Sequence, residues 1–116
     1  MADVIYKVLR RSEWREAEAR GVFAGSADDL RDGFIHLSTA AQLRATLTRH
    51  FAGERDLVVV EIDPEKLDVA LRWETSRGGA LFPHLYGELA LAAVTRRLEL
   101  GGHGSDAAGE LPADFP

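Results

Sequence analysis

The sequence predicts one small α+β domain in which two or three helices pack on small mixed or antiparallel sheets. Three observations carry this. A chain of 116 residues fits one ordinary domain and is too short for two. Short alternating or continuous apolar runs recur along it, as strands require. Between them lie stretches of helical spacing that open on capping residues. The domain is expected over residues 1–100, and residues 101–116 read as a flexible, acidic, Gly-rich C-terminal tail.

Val4, Tyr6 and Val8 alternate with Ile5 and Lys7, which predicts a first strand. Ser12 then offers an N-cap ahead of a helix over Trp14–Arg20 that Gly21 ends, with Trp14 and Ala17 facing the core. A short helical turn is expected at Ala27–Arg31, with Ser26 as cap and Asp29 three residues on. Asp32-Gly33 is a turn signal, and Phe34–Ser38 reads as a short strand. Thr39 and Gln42 have capping-box spacing, and Leu43, Leu47 and Phe51 line one face of the helix that follows. Such a cap is worth about 1 kcal/mol.

Leu57–Ile62 is a nearly continuous apolar strand, expected at the centre of a sheet. Asp63–Lys66 makes a turn, and Val69–Glu74 is expected to be its partner strand. Ser76–Gly79 reads as a mobile loop. The alternation of Val94, Leu98 and Leu100 with Thr95, Arg97 and Glu99 favours a strand over a helix there.

Composition excludes several classes. There is no cysteine, which removes disulfides, thiolate metal sites and cysteine nucleophiles and suits a cytoplasmic location. No apolar run approaches the roughly 20 residues of a membrane span, and the N-terminus does not read as a signal peptide. A net charge of -5 argues against general nucleic-acid binding, although the acidic tail leaves the body close to -2. Oligomeric state is not legible.

Polar chemistry converges on two segments. In His36-x-Ser38-Thr39 the first two side chains share a strand face, beside a helix N-terminus whose N–H groups attract anions. Such a group suits a phosphate, a pyrophosphate or a developing oxyanion. The plainer alternative is a core histidine beside a helix cap. In Phe82–Gly87, proline stiffens the backbone before His84, and Gly87 permits a close approach or a positive φ. If this segment is extended, His84 and Tyr86 share a face; the alternative is a rigid loop with a satisfied tyrosine. Glu74 ends a strand before a Gly-rich loop, and Glu88 is a further carboxylate beside Tyr86. Taken alone, each reads more readily as an exposed charge. His36, His84 and Glu74 also form the minimal set for a catalytic metal, without any supporting His-x-x-x-His spacing.

At these residues the chain resembles a small bacterial family catalogued as domain of unknown function 952. The carriers are Ile5-Tyr6, Trp14, Asp32–Thr39 with Gln42, His50-Phe51, Leu57–Asp63, Leu71–Glu74 and Phe82–Gly87. The resemblance runs from Val4 to about Leu100. The family pattern favours histidine in the first strand where this chain has Lys7, and proline at the position of Glu88.

That family is similar in fold to the ADP-ribosyltransferase-like superfamily, whose members grip NAD in a cleft between two small sheets. The resemblance implies the same split-sheet fold here and NAD or a related nucleotide as ligand. NAD would be a substrate and not a resident cofactor. His36 and Ser38 would hold the ribose or the nicotinamide amide, with Thr39 beside them. Tyr86 would stack near the nicotinamide, and His84 would orient a second polar group. Glu74 or Glu88 would stabilise the transition state of ADP-ribose transfer or of cleavage at the nicotinamide ribose. Two other classes stay open: a non-enzymatic module binding a small ligand or protein segment in the same cleft, and a metal-dependent hydrolase.

Overall fold

The computed structural model describes residues 3–101. The tail expected over 101–116 therefore lies, apart from Gly101, outside the described residues. What is described is an α+β fold of three helices and three small antiparallel sheets.

Strand β1 (Ile5–Arg10) pairs with β4 (Leu57–Ile62), which pairs with β8 (Val94–Leu100), so the most apolar strand is central. Both faces of β4 are covered, as its unbroken apolar run requires. Val58, Val60 and Ile62 join one core cluster with Ile5, Leu9, Trp14 and Leu85. Leu57 and Val59 join a second with Tyr6, Val8, Leu43 and Leu47. Helix α1 (Arg11–Arg20) buries Trp14 and Ala17 and ends at Gly21, whose φ of 79° is left-handed. It starts earlier than Ser12 suggests: Arg10 is the N-cap, and its N–H donates to Glu13 Oε1. Strand β2 (Val22–Phe23), which pairs with β7 (Leu89–Ala90), is too short to leave a pattern.

Helix α2 (Ala27–Asp32) carries the Ser26/Asp29 box and closes on left-handed Gly33. Strand β3 is only Ile35–His36, but the chain stays extended to a single bridge between Ser38 and Tyr6. Thr39 caps α3 (Ala40–His50), accepting from the Gln42 N–H, while Gln42 Oε1 accepts from the Thr39 N–H.

The second three-stranded sheet departs most from expectation. Strand β5 (Ala70–Ser76) does not pair with β4; it forms a hairpin with β6 (Ala80–Tyr86). The supposed mobile loop is the tight turn of that hairpin, made possible by Gly78 and Gly79 at φ 67° and 85°. The order β3-β6-β5 puts Phe82–Tyr86 in the middle strand, so that segment is extended. The Tyr6–Ser38 bridge is where β1 of one sheet meets the continuation of β3 from the other.

Candidate functional site

His36 lies directly opposite His84 in the β3–β6 register, and their rings meet edge to face at 5.7 Å between centroids. Carboxylates hold both rings, two at His36 and one at His84. His36 Nδ1 is 2.7 Å from Asp29 Oδ1, and its Nε2 is 2.9 Å from Asp32 Oδ2. His84 Nδ1 is 2.8 Å from Glu74 Oε1, the same oxygen that accepts the Tyr86 hydroxyl at 2.7 Å. Phe34 packs against all three rings, stacked on His84 at 4.0 Å and tilted against His36 and Tyr86 at 4.6 and 5.3 Å. The Arg72 guanidinium lies 5.0 Å from the centre of the Tyr86 ring.

Period two explains why these groups meet. Glu74, His84, Tyr86 and His36 occupy one face of the sheet, and Ile35 and Leu85 fill the core from the other. The electrostatic consequence is specific. Hydrogen bonds from Tyr86 first, then His84, hold the Glu74 carboxyl below its usual range. By the same bond Glu74 pushes the Tyr86 phenol up. Glu74 is therefore an ionised acceptor at neutral pH and not a proton donor.

A cleft of about 270 Å³ adjoins this group. His36 and Ser38 line it together with Lys7, Asp29, Asp32, Thr46 and Ser76, while Glu74, His84 and Tyr86 stand outside its wall. Ser76 is two residues beyond Glu74 on the same face of β5, so the carboxylate is one strand step from the cleft. Thr46 donates its hydroxyl hydrogen to the Gln42 carbonyl, so in the Ser38–Thr46 pair, 2.8 Å apart, Ser38 is the donor. That leaves Ser38 Oγ, on a residue lining the cleft, with lone pairs to accept a further hydrogen bond.

The expected site residues thus divide. His36 and Ser38 share the cleft; His84, Tyr86 and Glu74 form the adjoining group. Thr39 Oγ1 is engaged in capping α3. Glu88 is exposed and ion-paired to Arg20 at 3.6 Å, so Glu74 is the glutamate that joins the histidine–tyrosine group. Among the described residues no three His, Asp or Glu side chains converge where a metal could sit. No helix among them is long and apolar enough to cross a membrane.

Four participants were not expected: Lys7, Asp29, Asp32 and Phe34. A lysine inside an apolar strand was the available signal, because an unpaired ammonium cannot stay buried there. Its Nζ donates to Asp29 Oδ1 at 3.1 Å and to the His36 carbonyl at 2.9 Å. Burial alone raises the Asp29 carboxyl, but the His36 ring, the Lys7 ammonium and the Ser26 and His36 N–H groups outweigh it and hold the group well below the carboxylate range. Burial lowers the Lys7 ammonium, and Asp29 opposes that.

A family model described as a protein of unknown function (DUF952) matches residues 8–97. The X-ray crystal structure of protein CC0527 from Caulobacter crescentus is similar at 46% identity and a TM-score of 0.81, covering 90% of this chain and 98% of that one. A double mutant of the same protein gives the same values. Its solution NMR structure, at 46% identity, has a TM-score of 0.75 and covers 97% of this chain and 89% of that one. No curated protein matches the chain.

Proposed function

The chain belongs to the DUF952 family, and we propose that it binds NAD or a related nucleotide at the His36 cleft and acts at the nicotinamide ribose. The observation that carries this is Glu74, an ionised carboxylate aimed by Tyr86 and His84 beside the His36 face. Breaking the bond between ribose C1′ and the nicotinamide nitrogen returns the electron pair to the ring and leaves positive charge on the sugar. A fixed carboxylate stabilises that charge and accepts a ribose hydroxyl, with no proton to lose first. Water or another protic nucleophile then forms the new bond to C1′ and loses its proton to solvent. Ser38 Oγ, which lines the cleft and keeps accepting capacity, suits the amide N–H of nicotinamide. The two sheets meeting at the Tyr6–Ser38 bridge fit the split-sheet arrangement of the ADP-ribosyltransferase-like superfamily, which belongs to the same proposal.

A second reading is a binding module without turnover. It is favoured by Glu74 Oε1 already accepting from two of the protein's own donors. Nicotinamide release from NAD, followed with Glu74→Gln and His36→Ala alongside, separates the two. Release that falls about 10²–10³-fold in folded Glu74→Gln supports the enzymatic reading. Binding without release by the unaltered chain selects the module. Unchanged binding by folded His36→Ala contradicts the site assignment in both.

A further inference from the structure

Lys7 and Asp29 lie on β1 and α2, 22 residues apart, and both are buried. Lys7 shares its strand face with Ile5 and Leu9, in the larger core cluster, where an apolar side chain would pack at no electrostatic cost. The ion pair that stands there instead converges on one residue. Asp29 Oδ1 accepts from the His36 N–H at 3.1 Å and faces its Nδ1 at 2.7 Å. Lys7 Nζ takes the His36 carbonyl while also meeting Asp29 Oδ2 at 3.0 Å. Asp29 Oδ2 in turn accepts from the Ser26 N–H, which fixes the carboxylate plane. His36 is therefore gripped at its amide, its carbonyl and one ring nitrogen by a single buried pair. An ionised carboxylate only accepts, so a hydrogen on Nδ1 completes the arrangement.

We propose that Lys7 and Asp29 are positioning residues that fix the His36 ring as its Nδ1–H tautomer and aim Nε2 outward. Asp32 Oδ2, 2.9 Å from Nε2, also only accepts, so in the neutral ring the two carboxylates compete for one hydrogen, and the buried Asp29 keeps it. Asp32, partly exposed at the end of α2, is the partner that an incoming group can displace. Once Asp32 yields, Nε2 offers its lone pair to a hydroxyl or amide donor in the cleft. That last consequence rests on the nucleotide reading, whereas the positioning itself does not.

The test is long-range ¹H–¹⁵N NMR of the His36 ring in the full chain, read on the neutral form of the imidazole. Free histidine favours the Nε2–H form, so the protein must reverse an intrinsic preference. The natural chain is expected to show Nδ1–H, and Asp32→Ala, altered only at a partly exposed side chain, is expected to keep it. Lys7→Met combined with Asp29→Leu removes the acceptor without stranding a charge. In that variant, if folded, the neutral ring is expected to switch to Nε2–H, donated to Asp32. An Nε2–H ring in the natural chain or in Asp32→Ala overturns the proposal, as does an unswitched ring in the folded double variant. Failure of NAD to bind while these tautomers hold overturns the nucleotide reading and leaves the positioning role intact.

Discussion

His84 and Glu74 are joined across two strands, Nδ1 to Oε1 at 2.8 Å, although neither is the other's register partner. His84 stands opposite Arg72, and Glu74 opposite Phe82. The contact is diagonal, within reach of long side chains on one face. Tyr86, opposite Ala70, leans further along the sheet to reach the same oxygen. Glu74 is therefore aimed by two donors and not by strand pairing alone.

The phenol reports on that arrangement. Tyr86 is raised above the ordinary tyrosine value by its bond to Glu74, and Tyr6 is raised chiefly by burial, with Glu61 adding to it. These are the chain's two tyrosines, so ultraviolet titration resolves little else. In Glu74→Gln one of the two is expected to move down toward the ordinary value while Tyr6 stays. A titration identical to that of the natural chain contradicts the Tyr86–Glu74 bond.

Acid stability should follow Asp29. The folded protein holds this carboxyl below its unfolded value of about 4, so the unfolded chain takes up the proton first as pH falls. The contribution is complete above that unfolded value and is lost progressively below it, on the order of 2 kcal/mol. Melting temperature measured from pH 6 down to pH 2 is expected to fall less steeply in Asp29→Asn than in the natural chain. Equal slopes contradict the assignment.

Removing one member of the pair is worse than removing both. Asp29→Ala leaves the Lys7 ammonium buried without its counter-charge and is expected to cost about 3–5 kcal/mol in urea unfolding. Lys7→Met combined with Asp29→Leu should recover part of that loss. A double variant no more stable than Asp29→Ala contradicts a buried, coupled pair.

Gly87 supplies a prediction independent of the chemistry. Its φ is 152°, and an added Cβ would come within 2.8 Å of the Val69 Cβ. Gly87→Ala is expected to destabilise by about 1–3 kcal/mol through overpacking, checked by thermal melting. A neutral substitution would mean that β6 and the segment before β5 separate more easily than their packing indicates.

How much of this was legible follows from the range of each interaction. Local signals held: Ser26 with Asp29, Thr39 with Gln42, Gly21 as a stop, and the alternation from Val94 to Leu100 all depend on neighbours within four residues. The shared face of His84 and Tyr86 follows from period two in an extended segment. Long-range pairing was not legible. Nothing in Val69–Glu74 says that it prefers Phe82–Tyr86 over the apolar Leu57–Ile62, although the Gly78-Gly79 turn was itself a hairpin signal. Asp29 completes the capping box with Ser26 as its spacing indicates, yet its other partners, Lys7 and His36, are supplied by the tertiary fold. Lys7 stood in plain view as a charge in an apolar strand.

In the proposed function the His36 cleft and the Glu74 group form one nucleotide site. The most direct test of this is a two-dimensional NMR titration of the isotopically labelled chain with NAD. Saturable shifts confined to residues 33–39, 74–76 and 82–87 are the predicted result. No shifts at millimolar NAD, or shifts elsewhere only, would contradict it.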